Sequence, residues 1–190
     1  MKLVLPSFLL AVAIGYARGG RLATLGQVHL RWQGLAIVGL ALQMLLWPGG
    51  SWPLVYLYVS FVVLAAFAIS NIRTAGVVLI LVGIALNFLV IVANQGMPVS
   101  EAAIVNSGQA STLEELVNDG GAKHHLASAD DDLRFLGDVI AIRPLQQAIS
   151  VGDVFTYGGV IVLIIAGMGR RTPGRSAAPA VVEGTGHVDG

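Results

Sequence analysis

Two carboxylates stand out because the phrase around them repeats. The stretch "RFLGDVIAIRPLQQAISVGDVF", Arg134 to Phe155, contains Leu-Gly-Asp-Val and Val-Gly-Asp-Val. Asp138 and Asp153 therefore stand fifteen residues apart, the second at the mouth of an apolar run. Two carboxyls held close cannot both ionise easily, so one acts as acid and the other as base, a pair able to activate water for hydrolysis. Each acid also has a plainer reading. Ser150-Val151-Gly152-Asp153 fits a capping box, and a carboxylate in a first helical turn is favoured by the helix dipole. Asp138 follows Gly137 and stands four residues after Arg134, a spacing that pairs the two charges on one helical face. Asp138 and Asp153 are the candidate catalytic residues, with capping or surface pairing as the alternative for each.

A second cluster lies upstream, in "KHHLASADDD". His124, His125 and Asp130 to Asp132 offer five possible ligands in nine residues, with His as a nitrogen donor for a divalent ion. Adjacent histidines on a helix point about 100° apart, however, so they seldom share one ion. No metal and no cofactor is expected; His124, His125 and Asp130 are weak metal candidates, and a solvated, acid-capped loop is the alternative. Lys123 and the two histidines can also meet lipid headgroups or the neighbouring acids. Further polar candidates sit in or beside apolar runs: Gln43, Asn71, Asn87 and, in "NQGMPVS", Asn94. Amides in hydrocarbon need partners and commonly join helices by hydrogen bonds; lining a ligand pocket is the other reading. Asn94 can cap the last carbonyls of a helix or bond to Asp138 or Asp153. The binding candidates are thus Asn94, Lys123, His124, His125, Arg134, Gln43 and Asn87.

The elements that must position these residues are apolar. The chain of 190 residues is 55% hydrophobic and 12% charged, with mean hydropathy +0.78. Soluble domains carry about 25% charged residues, so the deficit indicates a membrane protein. There is no cysteine, which excludes disulfides and thiolate metal sites. Five runs are apolar enough to span: 3–17, 33–47, 52–70, 75–93 and 151–168. Trp32, Trp47, Trp52, Tyr56 and Tyr58 fall near their ends, where amphipathic rings favour the interface.

The connectors set the orientation. Arg18, Arg21 and Arg31, then Arg73, then Arg170, Arg171 and Arg175 all fall on one side of five spans. The other side holds Glu101, Glu114, Glu115, Asp119, Asp130, Asp131, Asp132 and Asp138 against Lys123, Arg134 and Arg143. The positive-inside rule then puts the N-terminus outside and the C-terminus in the cytoplasm. A cleaved signal peptide is the rival for the first run, with Lys2 before it and Ala11-Val12-Ala13 as the small-residue site. Arg18 and Arg21 follow directly and resist export, which favours a retained span. Runs two to four contain no Lys, Arg, Asp or Glu, unlike an ion-coupled pump. Gly34, Gly39, Gly76 and Gly83 permit close helix contacts.

The expected fold is all-α: a polytopic helical bundle with a small, mostly helical extracytoplasmic insert before the last span. Residues 1–93 form four membrane helices, 94–150 the insert, 151–168 the fifth helix and 169–190 a cytoplasmic tail. Capping signals predict insert helices near 101–106, begun by Ser100, near 112–119 and near 129–136. Val139–Ile149 is apolar but interrupted by Pro144, so it is read as lying along the membrane surface or over the spans. The tail, rich in Pro, Gly and Ala, is expected to be disordered.

The acids at the outer ends of late helices, with "SVGDVFTYGGVIVLII" after them, are similar to those of signal peptidase II, a membrane aspartic peptidase. That family has an Asn-x-x-Asp-Arg motif on the preceding helix, whereas "GIALNFLVIVANQG" has Asn87 and Asn94 but no acid and no Arg. A broader resemblance rests on "NQGMPVS", "KHHLA", "RFLGDVI" and "SVGDVF", with Gln43 and the arginine-bearing first connector. Together these resemble a bacterial membrane family of unknown function, DUF5317, over about residues 2–168. The resemblance implies a multi-span protein of the bacterial plasma membrane and no particular activity. There is no Gly-rich phosphate loop, Ser-His-Asp order or nucleic-acid patch. The expected role is binding or assembly at the outer membrane face, with lipid, a small ligand or a protein as partner. A membrane-embedded hydrolase using Asp138 and Asp153 is the alternative, and a small-molecule transporter the third.

Overall fold

The apolar runs fold as helices, which pair most of their backbone N–H and C=O groups within the segment itself. A computed structural model describes residues 3–44, 52–109 and 123–169, with Ser111, Leu113 and Leu116 between the last two stretches. The helices are α1 (Val4–Ala17), a single turn α2 (Leu22–Leu25), α3 (Gln33–Met44), α4 (Trp52–Ser70), α5 (Val77–Asn94), α6 (Glu101–Ser107) and α7 (Val151–Met168). Of these, α5 and α7 are long and apolar enough to cross a membrane. Of the expected helix at 112–119, Leu113 and Leu116 are described and both are helical, whereas its other residues and the tail beyond Gly169 lie outside the described residues.

The main packing order is α1–α7–α5–α4–α3, a row rather than a closed ring. All five run between the same two ends. At one end Arg21 N–H bonds the Met168 carbonyl closing α7, at 2.9 Å. Asn71, just after α4, ties down the first connector there: it accepts from Arg31 N–H at 2.7 Å and donates to the Arg31 carbonyl at 2.9 Å. Arg73 occupies the α4–α5 turn at that same end.

Glycines set the closest crossing, between α5 and α7. A Cβ on Gly83 would lie 2.2 Å from Thr156 Oγ1 and 2.4 Å from the Gly152 carbonyl oxygen. Gly76 (φ +85°) meets the Gly159 carbonyl in the same way, at 2.2 Å. Such close backbone approach gains dispersion contacts along the crossing. Gly39 opens a similar gap for Leu64, whereas a Cβ added at Gly34 would meet no atom of another element within 4 Å.

The opposite end carries a sheet, which corrects the all-α expectation. Strands β1 (Met97–Val99), β2 (His124–Leu126), β3 (Asp138–Ile142) and β4 (Gln147–Ser150) lie in the order β2-β1-β3-β4. β1 runs parallel to β2 and β3, and β3 antiparallel to β4. Val139–Ile149, expected to lie along the membrane surface or over the spans, is a hairpin: β-branched residues suit a half-buried strand, and Arg143–Leu145 turns the chain. The expected helix at 129–136 is reduced to a 3₁₀ turn, Arg134–Leu136. Its Ser128–Asp131 start signal does close locally, with Ser128 N–H bonding Asp131 Oδ2 at 2.7 Å, but Leu133 enters the left-handed region (φ +52°) and the helix does not propagate. The helix begun after Ser100 forms as α6, although the Ser100 side chain makes no cap bond.

One core cluster joins α4, α5 and the sheet through Leu57, Phe61, Ile84, Val90, Met97 and Leu136. A second joins α1 to α7 through Ala11, Ile164 and Met168.

Candidate functional site

The sheet decides which polar residues meet. In-register neighbours share a face, as do residues two apart on one strand. Met97 pairs with His124, Val99 with both Leu126 and Asp138, and Asp138 with Ser150. His124, Asp138 and Ser150 therefore lie on one face, and His125 on the other. A bulge at Val139 matters here. The register of the rest of the hairpin, Ile142 with Gln147 and Ile140 with Ile149, would otherwise set Asp138 opposite Val151.

Ser150, Asp153 and Asn87 form the anchor of this site. Ser150 Oγ accepts from Asp153 N–H at 2.9 Å, and Asp153 Oδ2 accepts from Ser150 N–H at 3.3 Å, so the capping box at α7 is complete. Asn87, buried on α5, donates from Nδ2 to Asp153 Oδ1 at 2.8 Å, and its Oδ1 accepts from Ser150 Oγ–H at 2.7 Å. Both Asp153 oxygens are thus occupied by structural donors. Gly152 makes room, since a Cβ there would lie 2.1 Å from Asn87 Oδ1.

Asp138 is placed differently. Its side chain is 13% exposed, and His124 Nε2, on a side chain 53% exposed, lies 3.9 Å from its Oδ2. Burial, with Asp153 adding repulsion, pushes the Asp138 carboxyl up to about 8. It is therefore largely protonated at neutral pH. The two acids are close enough to feel each other's charge, yet among the described residues no hydrogen bond joins their carboxyls. The arrangement can hold and release a proton at Asp138 and can offer that carboxyl as a hydrogen-bond donor.

Other sequence candidates go elsewhere. Arg134 does not pair with Asp138; its guanidinium donates to the Ser128 carbonyl at 3.2 Å, because 134–138 is a turn entering a strand and not a helix. Asn94 bonds neither Asp138 nor Asp153. It donates to the Val90 and Asp132 carbonyls, both at 2.9 Å, and accepts from Asp132 N–H at 2.7 Å, so it clamps the acidic loop to the end of α5. His125 Nε2 lies 2.9 Å from Asp131 Oδ1. Burial would raise Asp131, but the Ser128 N–H and His125 outweigh it and hold the carboxyl below its usual range. The adjacent histidines thus diverge to separate acids, and Asp130 N–H turns to Ser128 Oγ at 3.3 Å. Among the described residues no three His, Cys, Asp or Glu side chains converge as a metal ion would require. Lys123 donates to the Gln43 carbonyl at the end of α3, and partial burial lowers its ammonium from the ordinary value.

The family model for the family of unknown function DUF5317 matches residues 27–165. That interval includes α3, α4 and α5, the whole sheet and nearly all of α7. The chain belongs to this family. The match begins after α1 and the α2 turn, so the family region is narrower at the front than the resemblance over 2–168 implied. No curated protein and no solved structure matches the chain. Every residue of the anchor and of the Asp138 pair lies inside the family region.

Sequence reasoning singled out Asp138, Asp153, Asn87 and His124 but missed Ser150 as their meeting point. Its signal was present, since the capping-box serine begins the helix that carries Asp153. The sheet-face alignment with Asp138 had no local signal.

Proposed function

We propose that the protein is a multi-pass protein of the bacterial plasma membrane, N-terminus outside and C-terminus cytoplasmic, that binds a small ligand or a partner at the outer face. The carrying observation is the segregation of charge along the helix row. Arg18, Arg21, Arg31 and Arg73 gather at one end with no acid among the described residues there. Glu101, Asp130, Asp131, Asp132 and Asp138 gather with the sheet at the other. Basic connectors are retained on the cytoplasmic side during insertion. In this reading all five long helices are spans. α1 and α3 have 14 and 12 residues, so they reach roughly 21 and 18 Å at 1.5 Å per residue. That is less than a hydrocarbon core of about 30 Å, and the membrane thins around them or flanking residues complete the crossing.

The binding element is the Asp138–His124 pair at the seam between sheet and helix ends. A protonated, mostly buried carboxyl beside a half-exposed imidazole recognises a polar group by hydrogen bonding. The chain lacks cysteine, so single substitutions test the topology cleanly. Asp130→Cys reacts with a membrane-impermeant maleimide in intact cells, and Gln27→Cys reacts only after lysis. The reverse pattern, or labelling of both, sinks the outer-face assignment.

A hydrolase remains the second reading, favoured by the charge coupling of Asp138 to Asp153 and the nearby imidazole. It needs a free base, and Asp153 has both oxygens engaged. Loss of cellular function in Asp138→Asn with accumulation and thermal stability no lower than the wild type's, together with turnover of a defined substrate by the wild type alone, would transfer the assignment to hydrolysis. Transport is the third reading, without a charged residue in α3, α4 or α5 to couple it to an ion.

A further inference from the structure

At the arginine end, α1 and α7 finish side by side. Gly15 sits against Met168, where an added Cβ would lie 2.2 Å from the sulfur. The chain then turns back at Gly20, close to the Gly169 carbonyl, so the connector stays tight against the end of α7. Arg21 N–H bonds the Met168 carbonyl, and the Thr24 hydroxyl lies within hydrogen-bond reach of the Gly167 and Met168 carbonyls, so the connector supplies donors to this helix end.

Beside that junction lies a cleft of about 380 Å³, lined by Arg18, Val162, Ile165, Ala166 and Gly169. The volume falls in the range of small-molecule sites, roughly 300–1,000 Å³. Residues 162, 165 and 166 follow helical spacing, so they make one continuous wall of α7, and Gly169 closes the cleft just past the helix end. Arg18 stands at the C-terminal end of α1. Among the described residues it has no carboxylate partner. An unpaired guanidinium beside an apolar helical wall has two kinds of surface for two parts of one molecule. The charge calls for an anion and the wall for hydrocarbon. A free inorganic anion would use only the first.

We propose that this cleft holds an anionic phospholipid, with its phosphate on the Arg18 guanidinium and an acyl chain along Val162, Ile165 and Ala166. Arg binds phosphate through a planar fork of donors. The site rests on the membrane reading above but not on binding at the outer face.

The test uses the full chain in nanodiscs of mixed phosphatidylcholine and phosphatidylglycerol. After release, native mass spectrometry counts the lipids each protein retains. The wild type is expected to retain phosphatidylglycerol in preference. Arg18→Gln lowers that retention at least about fivefold, the scale of one basic residue at an anionic surface. Arg18→Lys keeps part of it. Ala166→Leu narrows the wall at an exposed position, leaves the charge, and also lowers retention. Arg73→Gln, which removes a charge from another turn at the same end, leaves retention unchanged. The proposal is overturned if Arg73→Gln and Arg18→Gln lose lipid equally, which marks diffuse surface charge. It is equally overturned if inorganic phosphate displaces the lipid at matched concentration, or if a second copy of the chain occupies the cleft as a retained dimer. Failure of the protein to enter nanodiscs would remove the membrane reading as well; entry without lipid preference removes this inference alone.

Discussion

Asp138 carries a proton where most carboxyls do not. The folded protein keeps that proton up to about pH 8, while an unfolded Asp releases it near pH 4. The folded state therefore binds more protons across that window, so stability is greatest below it, falls as pH rises through it and levels off above about 8. Asp138→Asn removes the buried charge. It should flatten the fall and raise stability at pH 8 by roughly 1–3 kcal/mol, the usual cost of an unpaired buried polar group. Thermal unfolding in detergent at pH 4.5 and 8 measures both; a destabilised variant at pH 8 would contradict the assignment. At Ser150 the expectation is opposite in sign. Ser150→Ala removes an acceptor for the helix end and a donor to Asn87, and should cost about 0.5–2 kcal/mol at either pH, as N-cap losses do. Each of these residues was visible in the chain. Asp153 announced itself as a capping acid through a spacing of three. Asp138 had no equivalent excuse, because its partner Ser150 lies across a bulged hairpin whose register no local pattern encodes.

The α5–α7 pair is held by close approach more than by large side chains. Gly83 faces Thr156 and the Gly152 backbone, while Gly158 on α7 has no atom within 4 Å of its missing Cβ. Gly83→Leu should force the helices apart and lower the yield of folded protein severalfold. Gly158→Leu, a larger side chain directed into open space, should be tolerated. Size-exclusion profiles of the two purified variants decide between a packed seam and glycines without a packing role. The length and composition of the apolar runs exposed these helices, because both are sums over a segment that need no knowledge of distant contacts. The strands were missed for a matching reason. β1 and β2 have three residues each, too few for alternation to register, and Asp138–Ile142 is β-branched but adjoins a turn with Pro144 that reads equally as a surface kink.

For the whole molecule, charge segregation is the feature with the longest reach. If the first connector anchors the arginine end in the cytoplasm, replacing Arg18, Arg21 and Arg31 together with Glu removes its bias. A fraction of Gln27→Cys in that background should then react with impermeant maleimide in intact cells. No change would mean that the other basic segments alone set orientation. The row order α1–α7–α5–α4–α3 also means that α3 and α1 sit at opposite edges. Damage to α3 should therefore leave the Asn87–Ser150–Asp153 anchor intact, which a selective loss of the Asp138 pH effect in an α3 variant would refute.

By itself the chain determined composition-driven properties: five apolar helices, their two-sided charge, the capping box at Ser150 and the family to which residues 27–165 belong. These depend on neighbours a few residues away or on sums over a segment, so they survive without coordinates. Tertiary structure alone decided that His124, Asp138 and Ser150 share a sheet face, that Asn87 bonds the start of α7, and that Arg134 and Asn94 serve the loop instead of the acids. Those contacts join positions up to 66 residues apart. They follow from strand register and helix packing, which no spacing rule along one chain can supply.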